Sequence, residues 1–345
     1  MGTQVDLFEP AAQSKAAVRP AAVDDELRAV GARLPAGVYL GTSSWSFPGW
    51  AGIVYGDAHS EQLLARQGLA AYAAHPLFAT VGLDRTFYNP VSVDVMAAYA
   101  ASVPARFRFV VKAHEALTLA RYPSHARYGA LRGQPNPRYL DVAWARDQVV
   151  APFVEGLRDK GGVLLFQMAP QPAELLAGAG AREKSPGRRF AERLYRFLRE
   201  LPKGPRYAVE IRTPELLTPD LAGCLRAAGV APCLASMPGL PPVEEQAGLL
   251  GVTGEVGDSG APAFVARWLL AHHRDYEGAR AAYEPFDRLV EPDRIVRGAL
   301  VELIARALAS GQPAYVIVNN KAEGSSPLSV AALARALVDA EGARP

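Results

Sequence analysis

The segment RYAVEIR, residues 206–212, places a carboxylate and a guanidinium two positions apart, at Glu210 and Arg212. Side chains alternate along a strand, so these two share a face, and Val209 and Ile211 take the opposite one. The apolar face packs under helices, which turns Glu210 and Arg212 towards an interior lumen. RFRFVVK, residues 106–112, reads the same way: Phe107, Phe109 and Val111 face outward, and Lys112 ends the strand pointing inward. Buried charges need partners, and Glu210 can pair with Arg212 or Lys112. Two readings follow. One is a structural ion pair. The other is a ligand site, in which Arg212 grips an anion, Glu210 serves as general acid or base, and Lys112 donates a proton or binds a phosphate or carboxylate. Polar residues end other apolar runs too: Asp84 after TVGL, Gln167 after VLLF and Asn319 after YVIV.

The elements that must position these residues alternate in type. Short β-type runs occupy 38–42, 78–84, 107–112, 163–167, 207–212, 231–235, 263–269 and 314–319. Helical patterns fall between them, over 60–74, 91–102, 144–160, 188–201, 219–228, 293–310 and 328–338. Alternation of this kind implies parallel strands joined by crossover helices, and eight units predict a TIM-like (β/α)8 barrel. Residues 37–345 form this single domain, and residues 1–36 are expected as a mobile tail with a short helix over 24–33. Three long connections, 113–143, 168–187 and 270–292, each follow a strand and so crown the C-terminal barrel face, where barrel enzymes carry their sites. GTSSWSFPGW (41–50) follows the first strand, and Trp45 and Trp50 could stack on a sugar or base or simply cover the mouth. TFYNP (86–90) adds the Tyr88 hydroxyl.

Bulk properties narrow the classes. A net charge of +2 argues against a strong nonspecific nucleic-acid field without excluding a local basic groove. Cys224 and Cys233 are two thiols nine positions apart, too few for a four-ligand zinc site, and read as buried free thiols. No apolar run reaches membrane-spanning length and the N-terminus has no secretory pattern, so no membrane association and a cytoplasmic location are expected. Gly-rich phosphate loops, GxSxG elbows and HExxH helices are absent. Asp84, His114, Glu210 and His272 fall near strand ends without diagnostic spacing. No cofactor is predicted, and a divalent metal stays open.

Taken together, GTSSWSFPGW, TFYNP, RFRFVVKAHEALT, VLLFQMAP, YAVEIR and YVIVNN resemble, in order and spacing, the YecE-like family of barrel proteins, also called domain of unknown function 72. The resemblance runs from about Val38 to Leu337 and implies a TIM-like barrel. Kinship to endonuclease IV and sugar-isomerase barrels suggests nucleic-acid or sugar ligands by analogy. Lys112, Thr118, Gln167, Glu210, Arg212, Arg267, Asn319 and Asn320 keep the family pattern. Gly82 stands for an acidic residue, Asp84 for Asn, Leu119 for His and Ser329 for Asn. TPELL follows Arg212 where His and Trp are usual, and Trp268-Leu269 follow Arg267 where His-Gly is usual. The polar ring is thinned accordingly.

Gln4-Val5-Asp6-Leu7-Phe8 resembles the bacterial sliding-clamp binding pentapeptide, in which Leu7 and Phe8 would enter an apolar cleft and Gln4 would hydrogen-bond nearby. Two functions from different classes follow. The first is a barrel that binds, and converts by hydrolase- or isomerase-type acid–base chemistry, a sugar phosphate or nucleic acid. The second is a non-catalytic DNA-associated accessory protein recruited to the clamp, or an interaction scaffold.

Overall fold

The computed structural model describes residues 17–171, 186–252 and 261–342. Eight parallel strands close on themselves in chain order: β1 (Val38–Thr42), β2 (Thr80–Leu83), β3 (Arg108–Lys112), β4 (Gly161–Met168), β5 (Tyr207–Ile211), β6 (Ala231–Ser236), β7 (Phe264–Trp268) and β8 (Ala314–Val318). The barrel is sealed by β1 against β8, with Val38 opposite Ala314 and Thr42 opposite Val318. All eight runs expected from the sequence are strands, because each is apolar on both faces or ends in a single inward polar group.

Alternation sorts the side chains as the period-2 reading requires. Phe107, Phe109, Val111, Val209 and Ile211 pack outward into the main core under the helices. Val110, Val163, Leu165, Ala208, Cys233, Val265 and Ile317 fill the lumen. Five inward polar residues stand two positions beyond one of these: Lys112 after Val110, Gln167 after Leu165, Glu210 after Ala208, Arg267 after Val265 and Asn319 after Ile317. The lumen is therefore an apolar plug with a polar cap.

The helices depart from expectation where backbone chemistry intervenes. The run over 60–74 is two helices, Glu61–Gln67 and Leu69–Ala73, meeting at Gly68; a glycine inside a helix weakens it. The run over 144–160 begins earlier and includes a π-helical turn, Arg146–Val150, before Ala151–Leu157. Pro152 has no N–H to give the Gln148 carbonyl, so the ladder loosens there. Two helices were not expected: Val243–Leu249, in a stretch given no element, and Tyr276–Tyr283, within the connection 270–292; the second is started by Asp275, which accepts a hydrogen bond from Gly278 N.

Residues 17–36 are laid on the barrel: Val18 and Val30 are buried, Ala21 N donates to Val54 O at 2.9 Å, and Gly56 N donates to Arg19 O at 2.9 Å. Asp24 caps the helix Asp25–Arg33, accepting from Leu27 N at 2.7 Å. Apolar anchoring and these backbone bonds hold what composition alone suggested was loose. Among the described residues, no helix is long and apolar enough to cross a membrane.

Candidate ligand site at the barrel mouth

The strand ends bring Asp84, Lys112, Gln167, Glu210, Arg212 and Arg267 into one network at the C-terminal end of the lumen. Glu210 is its centre and is fully buried. Its Oε2 accepts from Arg267 Nη1 at 2.8 Å, and its Oε1 lies in an ion pair with Arg212 Nη2. Gln167 Oε1 bridges the same two guanidiniums, at 2.9 Å from Arg267 and 3.2 Å from Arg212. Asp84 Oδ1 stands 3.3 Å from Lys112 Nζ and 3.5 Å from Arg267 Nη2. Cys233, on the strand between β5 and β7, backs Glu210 with its Sγ 3.9 Å from Oε2.

Exposure divides the network into an inner and an outer part. Arg267 is buried, whereas the side chains of Arg212 and Asp84 are 16% and 39% exposed. Lys112 is buried with its Nζ 4.7 Å from the centre of the Phe87 ring. Burial opposes the charged form of Glu210, but Arg267, Arg212 and Lys112 outweigh it and bring its pKa down to about 2. For Lys112 the balance runs the other way: burial and the neighbouring Arg267 charge hold its pKa below the usual lysine range, against the pull of Asp84 and Glu210.

These facts correct several sequence expectations. Glu210 has no open face and stays an anion clamped between two guanidiniums, so it lacks the access that acid–base work on a ligand requires. Trp50 is fully buried, with Nε1 donating to Asn320 Oδ1 at 3.3 Å. Trp45 donates to Leu64 O at 3.1 Å and packs edge-on to Tyr99. Neither indole offers a face for stacking; the large apolar rings went into the core that joins the first loop to the last. Asn320 also accepts from Ser326 N and Oγ, at 2.8 and 2.7 Å, and caps the final helix, Ser326–Gly342. Thr118 is buried, its hydroxyl turned to Glu115 O. Asn319 sits at the rim, donating to Ser43 Oγ at 2.9 Å. Tyr88 is 53% exposed, on the loop that follows Asp84. Gln4, Leu7 and Phe8 lie outside the described residues.

The four residues considered for a metal do not gather: no group of three or more His, Cys, Asp or Glu is placed to hold an ion among the described residues. His114 Nδ1 accepts from Ala116 N, and His272 Nε2 meets Ser236 Oγ at 3.2 Å. Sequence reasoning missed Phe87 beside Lys112, and Met237, whose sulfur lies against Arg212. It also missed Lys321, buried with its Nζ 4.1 Å from the Tyr276 ring. Phe87 is flagged by its place in TFYNP; Met237 and Lys321 carry no such signal.

A family described as Protein of unknown function DUF72 matches residues 39–344. The chain belongs to the DUF72 family. Two solved DUF72 proteins share the fold. That of Enterococcus faecalis V583 is 15% identical, with a TM-score of 0.52, covering 88% of this chain and 95% of its own. That of Thermotoga maritima MSB8 is 20% identical, with a TM-score of 0.53, covering 87% and 98%. No curated protein matches the sequence.

Proposed function

We propose that this DUF72 barrel binds a polar anionic ligand, a sugar phosphate or a nucleic-acid phosphate, at its C-terminal mouth. The observation that carries this reading is the charge of the network: Lys112, Arg212 and Arg267 face two carboxylates, Glu210 and Asp84, which leaves one positive charge over among the described residues. Glu210, Gln167 and Arg267 orient the donors. Arg212 presents its guanidinium outward, and the anion supplies the missing negative charge. Calorimetric titration with glycerol 3-phosphate and with glycolate tests it. Arg212→Ala should weaken binding roughly 10- to 100-fold, as for a lost charge-assisted hydrogen bond. Equal binding by this variant and the wild type removes the reading.

A second observation favours the nucleic-acid form of the ligand. The exposed loop after β3 carries Arg121, Arg127, Arg132 and Arg138. Arg127 is stacked between aromatic rings, 5.0 Å from Tyr88 and 4.6 Å from Tyr128. Arginine interleaved with tyrosine suits phosphates and unstacked bases. Binding of a single-stranded oligonucleotide should then fall steeply with salt and weaken in Arg127→Ala. Binding insensitive to both leaves the small anion as the ligand.

A further inference from the structure

Lys112 differs from an ordinary strand-end lysine in three ways. Its position on the Val110 face of β3 sends the amine into the lumen cap instead of to solvent. The Phe87 ring closes one side of the amine, and Arg267 shares Asp84 with it, so a second cation stands close by. Asp84, 3.3 Å from the amine, remains partly open to the mouth, so one carboxylate touches both the lysine and the space a ligand would enter. An amine nucleophile needs these conditions: removal from water, a neighbouring cation that favours the neutral form, and a group within reach to relay protons.

We infer that the Lys112 amine forms an imine with the carbonyl carbon of an anionic aldehyde or ketone whose anionic group is held by Arg212. The inference rests on the anion-binding reading above and names the substrate class of that same site. Asp84 takes a proton from the Lys112 ammonium, which leaves the total charge of the network unchanged; the freed lone pair bonds to the carbonyl carbon, the carbonyl π pair moves to oxygen, and Asp84 gives its proton to that oxygen. The nitrogen gives a proton to Asp84. Asp84 returns it to the new hydroxyl, the carbon–oxygen bond breaks, and water leaves. The product is an iminium on Lys112, with no net oxidation or reduction. Burial and the Arg267 charge hold the lysine's pKa below the usual lysine range, which favours giving up that proton.

The chain has six lysines, of which Lys321 is a second buried one at the same end of the barrel. This makes a labelling experiment decisive. The full chain is mixed with dihydroxyacetone phosphate or with glyoxylate, reduced with sodium borohydride, and mapped by peptide mass spectrometry. The two probes separate phosphate from carboxylate as the anionic group. One secondary-amine adduct is expected, on the Lys112 peptide, at least about tenfold above any other lysine. Glycerol 3-phosphate or glycolate, which have no carbonyl, should block it. Because the map is read in the wild-type protein, the result does not depend on a variant folding; Lys112→Arg serves only to confirm the loss. Labelling spread evenly over the lysines overturns the inference, as does no label with probes that titration shows to bind. If glycerol 3-phosphate and glycolate themselves fail to bind, the anion reading falls and the imine with it.

Discussion

Arg267 reaches across the lumen from β7 to donate to Glu210 on β5 at 2.8 Å, over a strand that contributes only the Cys233 thiol between them. Both groups are nearly or wholly buried. Removing one partner of such a pair strands the other, which costs about 3–5 kcal/mol. Arg267→Met should therefore lower unfolding free energy in urea by about that amount. Arg212→Ala should cost distinctly less, since Arg267 still holds the carboxylate. Equal losses from the two variants would show that the inner and outer guanidiniums are not distinct.

The same clamp sets an acid limit. Glu210 has a folded pKa of about 2, below the ordinary 4.5, so its contribution is present above pH 4.5 and fades as pH falls towards 2. The shift corresponds to about 3 kcal/mol. Unfolding free energy measured from pH 5 down to 2 should decline, and Glu210→Gln should flatten that slope from a lower starting stability. An unchanged slope in the variant assigns the acid loss to other groups.

His75 sets a separate window. It is buried, stacked on Phe78 with ring centres 4.1 Å apart, and burial brings its pKa down to about 4 from 6.5. A base with a depressed folded pKa contributes above its unfolded pKa and loses that contribution as pH falls below it. Stability should begin to drop below pH 6.5 and be lower by about 2 kcal/mol at pH 5. His75→Phe should remove this decline, as read from urea unfolding at pH 7 and pH 5. If the variant falls as steeply as the wild type, His75 is not the group being charged.

Gly49 fixes the rim. A Cβ there would come within 1.7 Å of the Pro285 carbonyl oxygen, so the β1 loop and the segment after the helix Tyr276–Tyr283 touch backbone to side-chain-free backbone. Gly49→Ala must push them apart and should lower stability by about 2 kcal/mol or more. Thermal unfolding reads this directly, and a melting temperature equal to that of the wild type would show that the loops shift freely.

The barrel was legible because its signal is local. Alternation within five residues marks RYAVEIR and RFRFVVK as strands and identifies Glu210 and Lys112 as inward, and the structure keeps both assignments. The identity of partners was not legible. Glu210 pairs with Arg267, 57 residues away, as well as with its neighbour Arg212, and no spacing rule encodes a bond across a closed lumen. Trp50 illustrates the same limit. Its place after a strand suggested an exposed platform, but Asn320, 270 positions later, turns the indole inward. The helix Tyr276–Tyr283 was hidden because its charged residues and Gly278 resemble a loop until its cap at Asp275 is seen.

The polar residues of the mouth come from β3, β4, β5 and β7 and from the turn after β2, and the bonds of Arg267 to Asp84, Gln167 and Glu210 run as chords across the ring between strands that are not neighbours. Such chords brace the rim as spokes brace a wheel: they resist both widening and flattening of the opening. Under the anion-binding reading, a ligand does not settle into slack space; it displaces an existing partner, at Arg212 or at the Lys112–Asp84 pair. Selection at this rim is then a matter of pitch, favouring ligands whose charged atom can replace a strut without letting the circle lose its shape.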